Sequence, residues 1–448
     1  MNELPELRRA ARGIFDHALA ESNAGHAVRH AVRLDGGRLQ ILDDEFDLGR
    51  TAHVYSVAMG KAARPMAAAL EEALGERLAR GVISAPTTGA TLSGCWEVYA
   101  GGHPLPNASS LDAARAAFDL LREANREDAL VVFLVSGGGS AMIESPRAAG
   151  VTLEDLSAAN RALVACGAPI AEVNAVRRAL SAVKGGGLSQ LAPAAAQVTL
   201  IVSDVNAGRE SDVASGPTFP RPDEARAASR VVEKYGLTSQ LSASVLRLIE
   251  RPPTGLAAEA TRARALRRHH VLLDNARAVQ SAVEAARARG FTAAAAPEIV
   301  EQHVSEGSAA LVARLMQLHR LRREGGSGVC LVSGGEFACP VRGGGVGGRN
   351  AETALRCALE FEKIAGGGGG PSHVVALCAG TDGIDGNSPA AGALADHTTV
   401  SRARARGLRS EQFLEDSDAH TLFQTLGDSV LTGPTGTNVR DIRILFMQ

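Results

Sequence analysis

The sequence predicts an α/β fold in which parallel strands form most of each sheet. Four continuous apolar runs are too short for helices, and segments of helical periodicity separate them, which is typical of buried parallel strands. Each run ends in a polar loop: VVFLVSGGGS (131–140), VTLIVSD (198–204), VCLVSGGE (329–336) and HVVALCAGTDG (373–383). Parallel strands end at one edge of a sheet, and ligands bind beyond that edge. We therefore expect an active site built from these loops.

The length of the chain predicts two domains. Its 448 residues exceed the roughly 250 to 300 residues at which a single core stops growing. The segment 251–270 has weak apolar periodicity and a shifted composition. We therefore place an amino-terminal domain at 1–250 and a carboxyl-terminal domain at 265–448, and the final segment is allowed to return to the first domain.

Composition and charge narrow the class of protein. The formal net charge of -2 gives no basic surface for nucleic acid, so no nucleic-acid partner is expected. No run approaches the ~20 apolar residues that cross a membrane, and the first segment lacks the apolar core of a signal peptide. The six cysteines show no CxxC pair, which indicates reduced thiols. These features favour a cytoplasmic enzyme.

In the first half of the chain, strands and helices alternate. The strand HVYSVAMG (53–60) leads into the helical pattern KAARPMAAALEEAL, which places Lys61 at the start of a helix. The segment SLDAARAAFDLLREANRED has the periodicity of an amphipathic helix. Thr152 and Asp155 have the spacing of a capping box. A further helix, NAVRRALSAVK, is predicted to end at the glycines after Lys184.

The second half repeats this alternation. The polar loop VNAGRESDVASGPTFPRP after the second apolar run is longer than a plain connection, which indicates a functional loop. A second α/β series begins near residue 270, and its helix ETALRCALEFEKI opens close to Arg349. The loop TGPTGTN and a final apolar strand end the chain.

The loop SGGGS offers consecutive backbone N–H groups that no side chain covers. Such loops hold phosphate oxygens, so we predict nucleotide or phosphate binding there. A tight strand-to-helix turn is the alternative. A serine nucleophile is a third reading, and it is discounted because the GxSxG form is absent. The residues concerned are Ser136, Gly137, Gly138, Gly139 and Ser140.

A second glycine-rich segment, residues 343–348, satisfies GxGxxG. A dinucleotide site would also need an acidic residue about 20 positions later, and that neighbourhood reads GGGGGPSH. Arg349, at the mouth of the following helix, suits the charge that develops on a transferred phosphoryl group. A surface ion pair is its alternative. We assign to nucleotide or phosphate binding Gly334, Gly335, Glu336, Gly347 and Gly348.

Charged residues at other strand ends complete the predicted site. Lys61 follows a glycine at a strand-to-helix turn, beside a natural anion site, although the segment is not a Walker A loop. Asp204, Asp382 and Asp385 follow strands and could bind a divalent ion or act as a general base, whereas aspartate also favours turns for local reasons. The histidines form no HxxxH or HExxH pattern, so a protein-held zinc is not expected.

Taken together, nine segments resemble one family, the glycerate 2-kinases with a carboxyl-terminal MOFRL domain, which often carry the label of hydroxypyruvate reductase. The segments are MGKAARPMA, GGHPLPNASS, SGGGSAMIESP, NAVRRALSAVKGGGL, SDVNAGRESDVASGPT, SGGE, GGRNAETAL, AGTDGIDGNSPAAGA and TGPTGTNVRD. They run in order from Met59 to Asp441 and cover nearly the whole chain.

The resemblance implies two Rossmann-like domains with an active site in the cleft between them. It implies ATP-dependent transfer of a phosphoryl group to the 2-hydroxyl of D-glycerate, with Mg²⁺ carried by the nucleotide. A lysine and an arginine are thought essential in that family, and by motif they correspond to Lys61 and Arg349. We assign Asp204 or Asp382 to Mg²⁺ or to the proton of the substrate hydroxyl. Asn206 and Asn350 join Lys61 and Arg349 as substrate-binding residues.

Two other functions stay open from the sequence. One is an NAD(P)H-dependent hydroxypyruvate reductase, against which the missing acidic ribose partner argues. The other is a non-catalytic sugar-acid or nucleotide-binding protein, which would need no lysine and arginine at the phosphates. In either case the expected partners are small molecules, and the chain is expected to be a monomer or a homodimer.

Overall fold

The chain forms two compact units. The computed structural model describes residues 4–49, 53–88, 92–127, 129–220, 224–251, 265–321, 328–365 and 373–448. We call Ala24–Leu272 the central unit, and Met1–Asn23 together with Leu273–Gln448 the terminal unit. The chain thus changes unit at residue 272, while most of the predicted boundary segment, residues 252–264, lies outside the described residues.

Helices and strands alternate through most of the described chain. The strands are β1 Val32–Asp35, β2 Arg38–Ile41, β3 Asp44–Asp47, β4 Val54–Met59, β5 Leu78–Ala85, β6 Trp96–Ala100, β7 Leu130–Ser136, β8 Ala196–Val202, β9 Arg267–Leu273, β10 Thr292–Ala295, β11 Val329–Ser333, β12 Val374–Gly380, β13 Gly392–Asp396, β14 Ser429–Val430 and β15 Asp441–Met447. The helices are α1 Leu4–Glu21, α2 Ala24–Ala31, α3 Ala63–Leu74, α4 Ala108–Arg126, α5 Gly139–Met142, α6 Leu153–Ala165, α7 Ile170–Leu180, α8 Glu224–Lys234, α9 Ala243–Glu250, α10 Asn275–Ala288, α11 Val304–Arg320, α12 Arg349–Ala365, α13 Thr399–Ala405, α14 Ser410–Glu415 and α15 Ala419–Leu426. The predicted α/β class is confirmed.

The central unit contains a sheet of six strands in the order β6-β5-β4-β7-β8-β9. The pairings from β6 through β8 are parallel. Every residue of β4 and β7 is buried, which explains why these strands are continuous apolar runs rather than alternating ones. Renumbered from β4, the order is 3-2-1-4-5-6, which is that of the dinucleotide-binding Rossmann fold.

The terminal unit departs from the predicted parallel arrangement. Its six-stranded sheet has the order β10-β11-β15-β12-β13-β14, and only β10 and β11 pair in parallel. The final strand β15 inserts between β11 and β12 and runs antiparallel to both. β11 and β12 consequently point the same way, so their carboxyl ends share one edge with the first residue of β15. The final segment therefore stays in the carboxyl-terminal sheet.

The amino-terminal helix belongs to the terminal unit rather than to the domain that the sequence analysis assigned it. α1 packs against α10, β12 and β15. Its apolar residues recur at helical spacing on one face, and Leu7, Ile14 and Phe15 are fully buried there. Arg8 on the same helix contacts the carboxylates of Asp396 and Asp428. Apolar burial and paired charge together fix the helix to this unit.

Two local predictions had different outcomes in the helices after β7. The capping box is confirmed, because Thr152 Oγ1 accepts from Asp155 N and Asp155 accepts from Thr152 N at the start of α6. The predicted extension of α7 to Lys184 is wrong. Its last residue is Leu180, and Ser181 is already extended because its hydroxyl donates to Glu144 and accepts from Val183 N.

All six cysteines are free thiols, and Cys330, Cys357 and Cys378 are fully buried. Burial raises the pKa of Cys357 to about 12, so this thiol stays protonated at neutral pH. Across the described ranges no helix is both long and apolar enough to span a membrane.

Candidate active site

The central sheet reverses its strand order between β4 and β7. From β4 the sheet continues through β5 and β6, and from β7 it continues through β8 and β9 in the other direction. In such sheets the loops after the two neighbouring strands diverge and leave a crevice in which ligands bind. The loops at this point carry Lys61 and residues 136–140, both predicted from the sequence.

The loops that follow β4 and β7 are hydrogen-bonded to each other. Lys61 N donates to the carbonyl oxygen of Gly137 at 2.9 Å, and Ala62 N donates to Ser136 Oγ at 3.0 Å. Ser136 Oγ in turn donates to Met59 O at 3.1 Å. Ser136 is fully buried, so its hydroxyl links the two loops, whereas the half-buried Lys61 lies just before α3.

Close approach explains two of the glycines in these loops. Gly60 has φ +106°, and a Cβ there would lie 2.4 Å from the carbonyl oxygen of Ser136. A Cβ on Gly137 would lie 2.1 Å from Oδ2 of Asp204. Neither position has room for a side chain, so the carboxylate that follows β8 packs directly on the glycine loop that follows β7. The structure thus brings Lys61, Gly137 and Asp204 together.

His103 lies on the other side of the glycine loop. Its ring atoms Nδ1 and Cε1 are 3.4 Å from the position that a Cβ on Gly138 would take, and the side chain is exposed. The sequence does not single out His103, although the residue lies in GGHPLPNASS, one of the segments that resemble the family. No metal-binding or catalytic-triad pattern surrounds this histidine in the sequence, so its neighbours along the chain do not indicate a function. It becomes a candidate because the fold places it beside the glycines.

A chain of polar side chains continues from the end of the SGGGS loop. Ser140 Oγ and Ser215 Oγ are 2.9 Å apart, and Ser215 Oγ donates to Asn174 Oδ1 at 3.0 Å. Ser215 has φ 61° and the preceding Ala214 has φ 50°, a left-handed conformation that is uncommon for residues other than glycine. Such outliers cluster at functional sites. The polar loop after β8 therefore contacts the glycine loop through Ser215.

Behind the loops lies a buried ion pair that sequence reasoning also missed. Lys184 Nζ contacts a carboxylate oxygen of Glu144, and Ser181 Oγ donates to the other oxygen of that group. Lys184 and Glu144 are both buried. Burial lowers the pKa of Lys184, and the carboxylate opposes this effect. In the sequence, this lysine stands at the end of an apolar helical pattern. The sequence analysis interpreted it as the end of a helix and did not predict an ion pair.

Asn206 lies in the same polar loop, at its first turn. Its carbonyl oxygen accepts from Arg209 N at 3.1 Å, and Arg209 contacts Asp212. Asp212 also pairs with Arg178 of α7 at 3.2 Å. The loop is therefore held by ion pairs as well as by Ser215, and Asn206 is half-buried in it.

In the terminal unit, the edge where β11 and β12 end and β15 begins carries Arg349. This residue opens α12, as predicted. Its Nε donates to Asp441 Oδ2 at 2.6 Å, and its Nη2 donates to Asp441 Oδ1 at 3.1 Å and to Glu336 Oε1 at 2.8 Å. Burial alone lowers the pKa of Arg349, but the carboxylates of Asp441 and Glu336 outweigh that effect and raise it. The guanidinium therefore stays charged.

The start of α12 holds an internal carboxylate. Asp385 Oδ1 accepts from Asn350 N at 3.0 Å, and Oδ2 accepts from Ala351 N at 2.8 Å. A Cβ on Gly348 would lie 2.4 Å from Asp385 Oδ1, so glycine is required. Burial raises the pKa of Asp385 to about 6, although the backbone donors oppose the shift. Asn350 Nδ2 also donates to Asp441 at 3.0 Å.

The SGGE loop is fixed from both sides. Gly335 N donates to Asn275 Oδ1 at 2.8 Å, while Arg443 donates to the carbonyl oxygens of Gly334 and Gly335. Asn275 Nδ2 donates to Asp441 O at 3.0 Å, which ties this loop to the start of β15. Sequence reasoning predicted the glycines but neither Asn275 nor Arg443, because a single polar residue inside a helix or strand has no motif around it.

The GxGxxG segment packs against neighbouring loops of the same unit. Gly347 N donates to Asn387 Oδ1 at 2.8 Å, and Val346 N donates to Asp418 Oδ1 at 2.8 Å. The Gly347 donor is thus already used within the chain, so shaping the loop before Arg349 is the role that these contacts favour. Asp382 Oδ1 accepts from Ile384 N at 3.2 Å and so stabilises its own turn.

The predicted residues fall into two groups, one in each unit. Lys61, the SGGGS loop and Asp204 meet in the central unit, while Glu336, Arg349 and Asn350 meet in the terminal unit. Within the described ranges, no group of three or more histidine, cysteine or acidic side chains is arranged to hold a metal ion. Each group combines a cation with glycine-rich backbone. Enzymes that transfer phosphoryl groups use these two features to bind phosphate.

Comparison with known proteins defines the family. Residues 10–250 match the model of a domain of unknown function, DUF4147, and residues 329–441 match the MOFRL family. The D-glycerate 2-kinase of Thermotoga maritima is 34% identical across 87% of this chain and 90% of its own length. Human glycerate kinase is 35% identical across 99% of this chain and 93% of its own. Some relatives carry a provisional hydroxypyruvate reductase name.

The fold agrees with this family. The crystal structure of a glycerate kinase from Thermotoga maritima superposes with a TM-score of 0.82 at 31% sequence identity, covering 99% of this chain and 100% of that one. The chain therefore belongs to the glycerate kinase family that combines a DUF4147 domain with a MOFRL domain.

Proposed function

We propose that this chain is a glycerate 2-kinase, which transfers the γ-phosphoryl group of ATP to the 2-hydroxyl of D-glycerate and releases 2-phosphoglycerate and ADP. The observation that carries the proposal is the likeness to glycerate kinases in sequence and structure over almost the whole chain. The cation and glycine loop in each unit support it, because phosphoryl transfer depends mainly on positioning and on positive charge around the transferred group.

Lys61 and Arg349 are proposed to neutralise phosphate charge. In the reaction the substrate 2-hydroxyl oxygen bonds to the γ-phosphorus while the bond from that phosphorus to the bridging oxygen of ADP breaks. Negative charge therefore develops on oxygens around the γ-phosphorus, and fixed cations stabilise it without reorganising. Arg349 is held by a buried carboxylate, and Lys61 follows a strand whose loop is locked to the SGGGS loop.

The SGGGS loop is proposed to bind phosphate oxygens through its backbone. The N–H groups of Gly139 and Ser140 lie in the first turn of α5, and first-turn donors have no acceptor within their helix. The Ser136 hydroxyl is used between the loops, so Ser136 supports the site rather than touching the ligand. The same backbone role is proposed for Gly137 and Gly138, while Gly334, Gly335, Gly347 and Gly348 shape the loops beside Arg349.

Asp204 is proposed as the acceptor of the substrate hydroxyl proton. Its carboxylate packs on Gly137, whose carbonyl oxygen accepts from Lys61 N. Asp382, which follows β12 and accepts from Ile384 N in its own turn, is the second candidate for this role. Asn206 and Asn350 are proposed to contact glycerate from their respective loops.

Mg²⁺ is proposed to arrive with the nucleotide. It usually binds to one or two carboxylates together with substrate phosphates rather than to a cage of protein ligands. Asp204 and Asp382, each at the end of a strand, fit that limited requirement. When bound, the ion would screen the negative charge of the β- and γ-phosphates.

The proposal is tested by product analysis. Purified protein is incubated with D-glycerate, ATP and Mg²⁺, and enolase coupling detects 2-phosphoglycerate but not the 3-isomer. We expect Lys61→Ala and Arg349→Ala each to lower kcat by about 10²- to 10³-fold, the usual loss for one charge-stabilising donor.

The exposed cations Lys363 and Arg404 are the matched controls, and their alanine variants should keep wild-type kcat. NAD(P)H oxidation with hydroxypyruvate, and no ADP release with glycerate, would replace the kinase by a reductase. If substitution of Lys61 and Arg349 leaves kcat unchanged while glycerate is still phosphorylated, the residue assignment is wrong and the kinase assignment stands.

A further inference from the structure

The loop that leads into β15 contains an arginine with a left-handed backbone conformation. Arg440 has φ 70°, and its buried side chain lies with Nη2 3.1 Å from Glu301 Oε1. Residues other than glycine rarely adopt this conformation, because their Cβ then lies too close to the following carbonyl oxygen. Such residues cluster at functional sites, where the surrounding structure holds them. Arg440 immediately precedes Asp441, the carboxylate that accepts from Arg349.

Thr381, the residue after β12, holds the backbone at this position. Its Oγ1 donates to Arg440 O at 2.7 Å and accepts from Val439 N at 2.9 Å. Its own N–H donates to the same Arg440 oxygen at 3.0 Å, and its carbonyl oxygen accepts from Thr435 Oγ1 at 2.6 Å. Thr381 is fully buried. Loss of its hydroxyl would therefore remove the acceptor of Val439 N inside the protein, which is costly.

All backbone polar groups of residues 439–441 have hydrogen-bond partners. Asn275 Nδ2 donates to the carbonyl oxygens on either side of Arg440, at 2.7 and 3.0 Å. Arg440 N donates to Asn438 Oδ1 at 3.1 Å, and the N–H of the residue after it donates to Gly335 O at 3.3 Å. The left-handed conformation is thus fixed by contacts with several segments of the terminal unit.

This conformation determines how the chain enters β15. Asp441 is the first residue of that strand and pairs with Gly380 of β12. Successive side chains of a strand point to opposite faces, so the backbone angle at Arg440 decides where the next carboxylate points. That carboxylate is fully buried and accepts from Nε and Nη2 of Arg349. Contacts therefore connect Thr381 to the guanidinium through two consecutive residues.

We propose that Thr381 is a positioning residue for Arg349. It holds Arg440 in the left-handed conformation, and this conformation places the Asp441 carboxylate where the guanidinium binds it. The effect of Thr381 on phosphoryl transfer rests on the proposed function of Arg349, whereas its effect on the placement of the guanidinium does not.

The first test removes the Thr381 hydroxyl. Thr381→Val keeps the shape of the side chain but takes one donor from Arg440 O and the acceptor from Val439 N. Arg349 is proposed to act on charge that develops in the transition state, so we expect kcat with D-glycerate to fall about tenfold while KM for ATP changes less than about twofold. Thr381→Ser keeps the hydroxyl and should recover most of kcat.

Thr399 is the matched control for this substitution. It is also a fully buried threonine of the terminal unit, and its Oγ1 accepts from Asp396 N at 2.9 Å. Thr399→Val should lose a similar amount of stability in urea unfolding and keep wild-type kcat. Because both variants lose a buried hydroxyl, a purely structural role of Thr381 would give them the same kcat.

A second readout needs no turnover. In nuclear magnetic resonance of protein with isotope-labelled arginine, the Nε–H of Arg349, which donates to Asp441 at 2.6 Å, is identified by its absence in Arg349→Lys. We expect this proton to exchange with water about tenfold faster in Thr381→Val than in the wild type. Thr381→Ser and Thr399→Val should keep the wild-type exchange rate.

The third test changes the backbone preference of Arg440 itself. Arg440→Gly and Arg440→Ala both lose the ion pair with Glu301, but glycine adopts positive φ without strain. We therefore expect kcat to be about fivefold higher in Arg440→Gly than in Arg440→Ala, with slower exchange of the Arg349 proton. Leu42, with φ 51° between β2 and β3, is the control, and its glycine and alanine variants should have equal kcat.

Several results would overturn the inference. They are wild-type kcat and proton exchange in Thr381→Val, no recovery in Thr381→Ser, an equal loss of kcat in Thr399→Val, and equal kcat in Arg440→Gly and Arg440→Ala. If Thr381→Val does not fold, the two Arg440 variants decide. Failure of the kinase assignment has a different signature, because the Arg349 proton would then respond as expected while neither wild type nor variants form 2-phosphoglycerate.

Discussion

Buried charge at single residues distinguishes this protein's interior from an ordinary apolar core. Lys184 and Glu144 form an ion pair beneath the loops of the central unit, and Asp385 is buried at the start of α12. Burying a charge is costly unless hydrogen bonds and an opposite charge compensate for it. Each of these groups has such partners, so we expect a substitution at each of them to change stability in a specific way.

Removing one member of the buried pair should destabilise the central unit. Lys184→Met leaves the Glu144 carboxylate buried without its cation, and we expect a loss of about 3 to 5 kcal/mol in the free energy of unfolding. Adding Glu144→Gln should recover part of that loss. Urea unfolding measures both, and Lys234→Met is the control because Lys234 forms an exposed pair with Glu172. Equal losses in Lys184→Met and Lys234→Met would contradict the prediction.

Asp385 should make stability depend on pH. Its pKa is raised to about 6 from 3.8, chiefly by burial, so the native state binds this proton more tightly than the unfolded state does. Its stabilising contribution is complete below pH 3.8 and is lost as pH rises through about 6. The two-unit shift corresponds to about 3 kcal/mol.

Thermal unfolding between pH 4 and pH 7.5 tests this dependence. Asp385→Asn cannot ionise, so its melting temperature relative to the wild type should rise across that range. A difference between the two proteins that does not change with pH would contradict the assignment.

At the scale of elements, the strands were more predictable than their order. β4, β7, β8, β11 and β12 were all predicted, because a strand that is buried on both faces leaves an uninterrupted apolar run. The place of β15 was not predictable. Its insertion between β11 and β12 depends on pairing between residues more than 60 positions apart, such as Ala376 and Leu445, and no local pattern encodes that choice.

The site residues differ in the same way. Some can be recognised from their neighbours in the sequence, and others only from contacts between segments that are far apart in the sequence. Lys61, Arg349 and the glycine loops were predicted because each occupies a strand-to-helix turn that can be read from a few residues. His103, Asn275 and Arg443 were not predicted, since their roles depend on loops that meet only in three dimensions. Asp385 was considered as a metal or base candidate, and its contact with the first N–H groups of α12 was not foreseen.

Helix α1 offers a test of which unit it stabilises. Phe15 is fully buried, so Phe15→Ala should cost about 3 to 5 kcal/mol. Hydrogen exchange should show lost protection in β12 and β15, which α1 packs against, and none in β4 or β7. Arg9→Ala, on the exposed face of the helix, is the control. Protection lost first in the central sheet would contradict the assignment of α1 to the terminal unit.

At the scale of the whole molecule, the two units have different sheets, and each carries one of the two proposed phosphate-binding cations, Lys61 and Arg349. The central sheet is parallel from β6 through β8 and follows the Rossmann order, while the terminal sheet is mixed. In both, however, the proposed residues lie where strands end. The mixed sheet achieves this because β11 and β12 still run in the same direction on either side of β15. The direction in which a strand runs, rather than the strands with which it pairs, therefore determines at which edge of the sheet its following loop lies.

The discontinuous terminal unit also has a consequence for synthesis on the ribosome. Residues 1–23 are synthesised before the central unit, yet their partners begin at residue 273, which is 250 positions later. At 5 to 20 residues per second, that interval lasts roughly 12 to 50 s. During that interval the whole central unit, which is continuous in sequence, can fold, while the apolar face of α1 has no sheet to pack against. We therefore expect the apolar residues of α1 to stay without their native partners until the terminal sheet has been synthesised.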